Sequence, residues 1–145
     1  MIIAVSACLL GLNCRYDGSS KPCEEVIALK DRHTVVPICP EVLAGLIIPH
    51  AANEIASAKP LRVVDANGVD NTAAFIDGAR KAVELAQAKG CELAILKGKS
   101  PSCGVGRIYD GSFNGVLVPG DGVAAGMLKE AGIPVCDENN LPPGL

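Results

Sequence analysis

Short apolar runs that stop at a cysteine restrict the fold of this chain more than any other feature. Residues 93–96, Leu-Ala-Ile-Leu, lead into Lys97-Gly98-Lys99-Ser100-Pro101-Ser102-Cys103-Gly104-Val105-Gly106. An apolar run of that length, bounded by glycine and proline, reads as a buried strand followed by a loop. Two other runs repeat the arrangement: Cys8 closes residues 2–7, and Cys39 closes residues 34–38. Continuous apolar runs are what strands show when a parallel sheet is covered on both faces. With the three strands parallel, the three thiols emerge on one edge, the carboxyl ends where open α/β sheets gather their chemistry.

At 145 residues, 49% of them hydrophobic, the chain has the size of one ordinary domain, residues 1–145, and buries roughly 70% of its unfolded surface without covalent help. Its seven cysteines then need an explanation other than a disulfide framework: the number is odd and no C-x-x-C pair occurs. A reducing cytoplasmic setting is expected, with some thiols buried and some ligating metal. Met1-Ile2-Ile3-Ala4-Val5 has no basic region before it and reads as a first core strand, not a signal peptide. No apolar run approaches the roughly 18 residues of a membrane-spanning helix. A net charge of −3 and an aromatic content of 3% argue against long nucleic acids as partners, because phosphate backbones require a basic surface and unpaired bases require stacking platforms.

Along the chain, Pro22 sits where the first turn of a crossover helix through Lys30 is expected, with Glu24 and Glu25 favourably near its start. In the second run, Pro37 lacks a ladder donor and predicts an edge strand. Residues 40–45 fit one helical turn and residues 61–64 a short strand before an Asn67-Gly68 turn; otherwise residues 40–65 read as a loop covering a site. The clearest helix runs from Asn71 or Thr72 to Lys89 before Gly90. It turns Phe75, Ala79, Val83 and Ala86 to a core, and Asp77 with Lys81 and Arg80 with Glu84 to water as i, i+4 pairs. Residues 108–118 suggest a hairpin, Asp121 caps a helix to Ala131, and residues 133–136 form a last strand. The order predicts a small doubly wound, Rossmann-like α/β domain with a mostly parallel sheet.

Three thiols at one sheet edge admit several chemistries. Thiolates are soft ligands, and a metal centre held by three of them keeps a coordination position open for substrate. An iron-sulfur cluster usually takes four cysteines, so three leave one iron free. Cys103 alone suits a nucleophilic or redox enzyme, made acidic by its loop and by Lys97 or Lys99. A noncatalytic metal- or nucleotide-binding module would use the same edge.

Cys8-Leu9-Leu10-Gly11 with Cys14-Arg15-Tyr16-Asp17-Gly18, then Cys39-Pro40-Glu41-Val42, then Ser100-Pro101-Ser102-Cys103-Gly104 with Ile108-Tyr109-Asp110-Gly111, together resemble the thiouracil desulfidase family over nearly the whole chain. The resemblance implies a 4Fe-4S cluster on Cys8, Cys39 and Cys103, and an enzyme that removes sulfur from a small thiolated pyrimidine, a thiouracil or a thiouridine-type nucleoside or nucleotide. Glu41, two residues beyond a ligand, is the candidate to carry the proton, with Ser100 and Ser102 as hydrogen-bonding catalytic partners. Lys97, Tyr16, Asp17 and Asp110 are the substrate-binding candidates, although Tyr16-Asp17-Gly18 and Tyr109-Asp110-Gly111 also read as turns whose aspartates bond nearby backbone. Where the family tends to read Gly-Gly-Leu-Pro and later Pro-Arg, this chain has Ala44-Gly45-Leu46-Ile47 and Pro49-His50. The expectation there is that a different anionic group is recognised, or none.

Overall fold

A computed structural model describes all 145 residues. Strand β1 (Ile2–Ser6) is followed by a 3-10 turn over Ala7–Leu10, closed by Gly11 at φ 92°. The strand therefore ends one residue before Ala7. Helix α1 is a single turn, Glu24–Ile27, continued as a 3-10 turn over Ala28–Asp31. It starts later than Pro22 because Cys23 is extended and gives its N–H to the Leu9 carbonyl at 2.9 Å, tying this segment to the turn after β1. Strand β2 (Thr34–Ile38) leads directly into α2 (Pro40–Leu43).

Strand β4 (Leu61–Asp65) lies where a short strand was expected, but the stretch before it, expected as a covering loop, holds β3 (Asn53–Ala58), and the two pair as an antiparallel hairpin. Its first strand, Asn-Glu-Ile-Ala-Ser-Ala, offers one large apolar residue, and only pairing with β4 gives it strand character. Ile55 and Val63 pack with Phe75 and Ile108, which anchors the hairpin against the start of α3 (Thr72–Ala88). Then come β5 (Leu93–Leu96), the hairpin β6 (Arg107–Tyr109) and β7 (Leu117–Pro119), α4 (Val123–Glu130) and β8 (Val135–Asp137).

Strands β2, β1, β5 and β8 form one wholly parallel sheet in that order. Strand β2 lies at its edge, where Pro37 leaves no ladder bond unmade. Strand period decides which core each side chain joins. Ala4, Ala94 and Leu96 face Ala86, Ala125 and Leu128 of α3 and α4. Ile3, Val5, Leu93 and Ile95 face Val26 and Leu29 on the α1 side, with Leu141 and Leu145 of the C-terminal segment against them. Both faces are covered, which is why the strands carry no polar alternation.

Two glycines set how closely the remaining pieces approach. A Cβ on Gly78 of α3 would lie 2.1 Å from the Pro40 carbonyl oxygen, so its absence lets α2 rest on α3. A Cβ on Gly122 would lie 2.5 Å from the Ser102 carbonyl carbon. Gly122, not Asp121, is the residue before α4. The first N–H groups of that helix go to loop carbonyls, Val123 to Pro101 at 2.8 Å and Ala124 to Ser102 at 2.9 Å. Asp121 instead accepts from the Gly106 N–H and from Lys129 Nζ, both at 2.8 Å. On α3, Asp77 pairs with Lys81 at 3.0 Å as expected, but Arg80 also turns to Asp77, not to Glu84.

The ends of β5 and β8 are joined by charge. Lys97 Nζ meets Glu138 Oε2 at 2.8 Å, and Glu138 Oε1 accepts the Gly98 N–H at 2.8 Å. Burial pushes the Glu138 carboxyl up, but the Lys97 and Gly98 hydrogen bonds outweigh it and hold the group below its ordinary value. A lowered carboxyl contributes stability that is complete above about pH 4.5 and is lost as pH falls through its folded value. Glu138→Gln is therefore expected to cost about 1–2 kcal/mol at neutral pH and to flatten the acid limb of stability, read from urea midpoints below pH 4.5 against the parent. Gly78→Ala should cost about 1–3 kcal/mol, because its Cβ meets backbone that cannot yield. Gly126→Ala, inside α4 with nothing within 4 Å of the added carbon, should gain about 0.5–1 kcal/mol in the same unfolding measurement.

Candidate active site

Each candidate ligand sits just beyond a parallel strand. Cys8 lies in the 3-10 turn after β1. Cys39 lies between β2 and α2, where its extended backbone gives the carbonyl to the Leu43 N–H at 2.9 Å. Cys103 lies in the loop after β5, where Ser100 Oγ accepts the N–H groups of Ser102 and Cys103, both at 3.1 Å. The sheet order makes these three strand ends neighbours. The three cysteines line one cavity of about 370 Å³, together with Cys14, Glu41, Ser100, Ser102, Lys97 and Tyr16. The cavity opens at the point where strand order reverses between β1 and β5, the customary ligand crevice of such sheets.

All seven cysteines are free thiols. Burial pushes the thiols of Cys8 and Cys39 up from their ordinary value, and those of Cys14 and Cys103 up to about 12. Burial thus works against the acidity expected of Cys103, and Lys97, expected to lower its thiol, is committed to Glu138. No three His, Cys, Asp or Glu side chains converge tightly enough to hold a single metal ion. Three soft donors on separate loops around a cavity fit a larger sulfur-loving group that spans the gap between them, as a 4Fe-4S cluster does. Cys136, at the middle of β8, packs with the core on the α1 side and does not line the cavity.

Beside the thiols lies a line of polar groups. Ser100 Oγ and Ser102 Oγ are 3.0 Å apart, Ser102 Oγ donates to Glu41 Oε2 at 3.2 Å, and Glu41 Oε1 lies 3.4 Å from His50 Nε2. Ser102 is 2% exposed, so its hydroxyl depends on these partners. Burial pushes the Glu41 carboxyl up, while His50, Ser102 and Arg15 pull it down less strongly. His50, which stands where the family tends to read arginine, is turned toward Glu41 and does not line the cavity.

The structure brings Lys97 and Tyr16 to the cavity but not Asp17 or Asp110. Asp17 accepts the Ser19 N–H at 3.0 Å and the Ser19 hydroxyl; Asp110 accepts the Ser112 N–H at 2.9 Å and its hydroxyl at 2.6 Å. Those serine bonds hold both carboxyls below their ordinary value and build the two turns. Sequence reasoning did not single out Asn53, Glu54 or Glu138. Asn53 and Glu54 line the cavity from β3, a strand that was not anticipated, and Glu138 reaches Lys97 only because β8 lies beside β5.

Comparison with known proteins agrees with this geometry. The chain is 40% identical over 147 residues to the uncharacterized protein YbbK of Bacillus subtilis strain 168, covering 97% of each. It is similar to the solved structure of the 4Fe-4S-dependent thiouracil desulfidase TudS, with a TM-score of 0.86 and 44% identity over 97% of this chain and 92% of that one. A family model described as 2-thiouracil desulfurase matches residues 3–140, which include Cys8, Cys39, Cys103, Glu41 and both serines. The chain belongs to the 2-thiouracil desulfurase family.

Proposed function

We propose that this chain is a desulfidase that replaces the sulfur of a thiolated uracil by oxygen, with a 4Fe-4S cluster held by Cys8, Cys39 and Cys103. The observation that carries the reading is the free thiols of Cys8, Cys39 and Cys103, from three strand ends, around one cavity, beside a carboxylate hydrogen-bonded to a hydroxyl. Family membership and the likeness to TudS support the sulfur-removing activity and the cofactor. Bound through three thiolates, such a cluster supplies one iron with an open position, a Lewis acid whose softness matches a thiocarbonyl sulfur.

The net reaction is hydrolysis: a thiocarbonyl and water give a carbonyl and hydrogen sulfide. A C–O bond forms, the C–S bond breaks, and no electrons leave or enter. Protons must move from water to the departing sulfur or the ring. Glu41 is the group to move them, because it lines the cavity and its Oε2 is held by Ser102. Ser100 keeps Ser102 in place, and Lys97 and Tyr16 form part of the wall against the pyrimidine. Arg15 and Lys99 also line the cavity and are in no ion pair, unlike Lys97, which suits a substrate that carries phosphate. The whole chain acts as one domain, and a reducing cytoplasm suits its free thiols. No helix is long and apolar enough to cross a membrane.

Protein reconstituted without oxygen should hold about four irons and about four acid-labile sulfides per chain, and Cys8→Ala, Cys39→Ala and Cys103→Ala should each lower that content. Loaded enzyme should release sulfide from thiouracil or a thiouridine nucleotide. Glu41→Gln should keep its iron and lose about 100-fold or more in kcat. Failure to take up iron under those conditions removes the cluster from the mechanism. Parental turnover in Glu41→Gln removes the proton carrier.

A further inference from the structure

Glu41 stands on α2, a helix of one turn, with a side chain that can rotate about three bonds. A carboxylate so placed points at a reacting atom only if both oxygens are anchored, since free rotamers cost entropy at the moment of reaction. One anchor follows from counting hydrogens. Ser100 Oγ accepts two backbone N–H groups, which occupy both its lone pairs, so its own proton goes to Ser102 Oγ 3.0 Å away. Ser102 in turn gives its proton to Glu41 Oε2. The direction of this line is set, and Oε2 is an acceptor.

The second anchor is on the other oxygen. His50 Nδ1 lies 2.7 Å from the Ala51 carbonyl, and a carbonyl only accepts, so Nδ1 carries hydrogen. The Ala51 carbonyl also accepts Asn53 Nδ2 at 3.2 Å, and Asn53 Oδ1 accepts Asn71 Nδ2 at 2.9 Å at the start of α3. Asn53 is 6% exposed, and its buried amide is held at both its nitrogen and its oxygen. The His50 backbone N–H is bonded to the Tyr16 carbonyl at 2.7 Å. The ring is tied through Nδ1 and its backbone through the Tyr16 carbonyl, and Nε2 faces Glu41 Oε1 at 3.4 Å, a pairing that takes one hydrogen between the two atoms. Nε2 is buried and has no hydrogen-bond partner, which leaves the Glu41 carboxyl as the polar group it faces.

We infer that His50 is a positioning residue: locked by Ala51 and Asn53, it holds Glu41 Oε1 so that Oε2 meets Ser102 and the cavity. The inference rests on the reading of Glu41 as proton carrier. His50 is not in the cavity wall, so it sets the aim of the carboxylate and not the fit of the substrate. Its loss should lower kcat and leave KM alone.

The test uses cluster-loaded enzyme with matched iron content and sulfide release from thiouracil. His50→Leu, which keeps the bulk of the ring and removes Nε2, is expected to lower kcat about 10- to 100-fold with KM unchanged. His50→Gln, which puts an amide nitrogen near the position of Nε2, should recover most of the loss. Equal defects in Leu and Gln variants, a KM change in place of a kcat change, or parental kcat in His50→Leu would each overturn the inference while Glu41→Gln remained inactive. An active Glu41→Gln would instead remove the reading on which it rests. Should His50→Leu fail to fold, nitrogen NMR of the histidine rings in the parent decides: the inference requires a protonated Nδ1 on His50 and an Nε2 resonance that moves in Glu41→Gln, and an unprotonated Nδ1 or an unmoved Nε2 overturns it.

Discussion

Cys8, Cys39 and Cys103 share a cavity because β2, β1 and β5 run parallel as immediate neighbours, so their carboxyl ends open onto the same edge. Reversing one strand would carry its thiol to the opposite edge, and inserting another between them would widen the gap by about 5 Å. The rest of the fold keeps this order. Helices and the C-terminal segment cover both faces, and the apolar side chains that make each strand fully buried also leave little room for slippage.

The loop that carries Cys103 belongs to both the scaffold and the chemistry. Its backbone carbonyls at Pro101 and Ser102 take the first N–H groups of α4, which replaces a side-chain cap. Its hydroxyls at Ser100 and Ser102 run toward Glu41. A loop whose backbone is used up in this way cannot drift, and a rigid support is what hydrogen bonds aimed at a reacting group require. Charge is handled with the same economy. Lys97 spends its charge on Glu138, whereas Arg15 and Lys99 leave theirs free toward the cavity.

Some elements were legible because their signal is local. The strands over residues 34–38 and 93–96 and the long helix before Gly90 are set by composition, breakers and period, and the structure has them at those places. Strand β3 was not legible: a polar run with one isoleucine becomes a strand by pairing with β4, and the choice of partner lies outside the run itself. Asp121 looked like a cap, yet the tight contact of Gly122 with Ser102 gave the helix start to a neighbouring loop. Asp17 and Asp110 looked equally like ligand groups or turn formers, and in the structure each aspartate bonds the serine two residues on.

The amino-acid sequence determined the class of fold, the strands that end at the three cysteines and the long helix, because burial and backbone preference act within a few residues. It also carried the motif that ties the chain to its family. Only the tertiary structure decided that Cys103 is buried, that Lys97 is paired with Glu138, and that His50 faces Glu41. Those outcomes depend on desolvation and on hydrogen-bond partners far away in the chain, and both exist only once the sheet has brought the strand ends together.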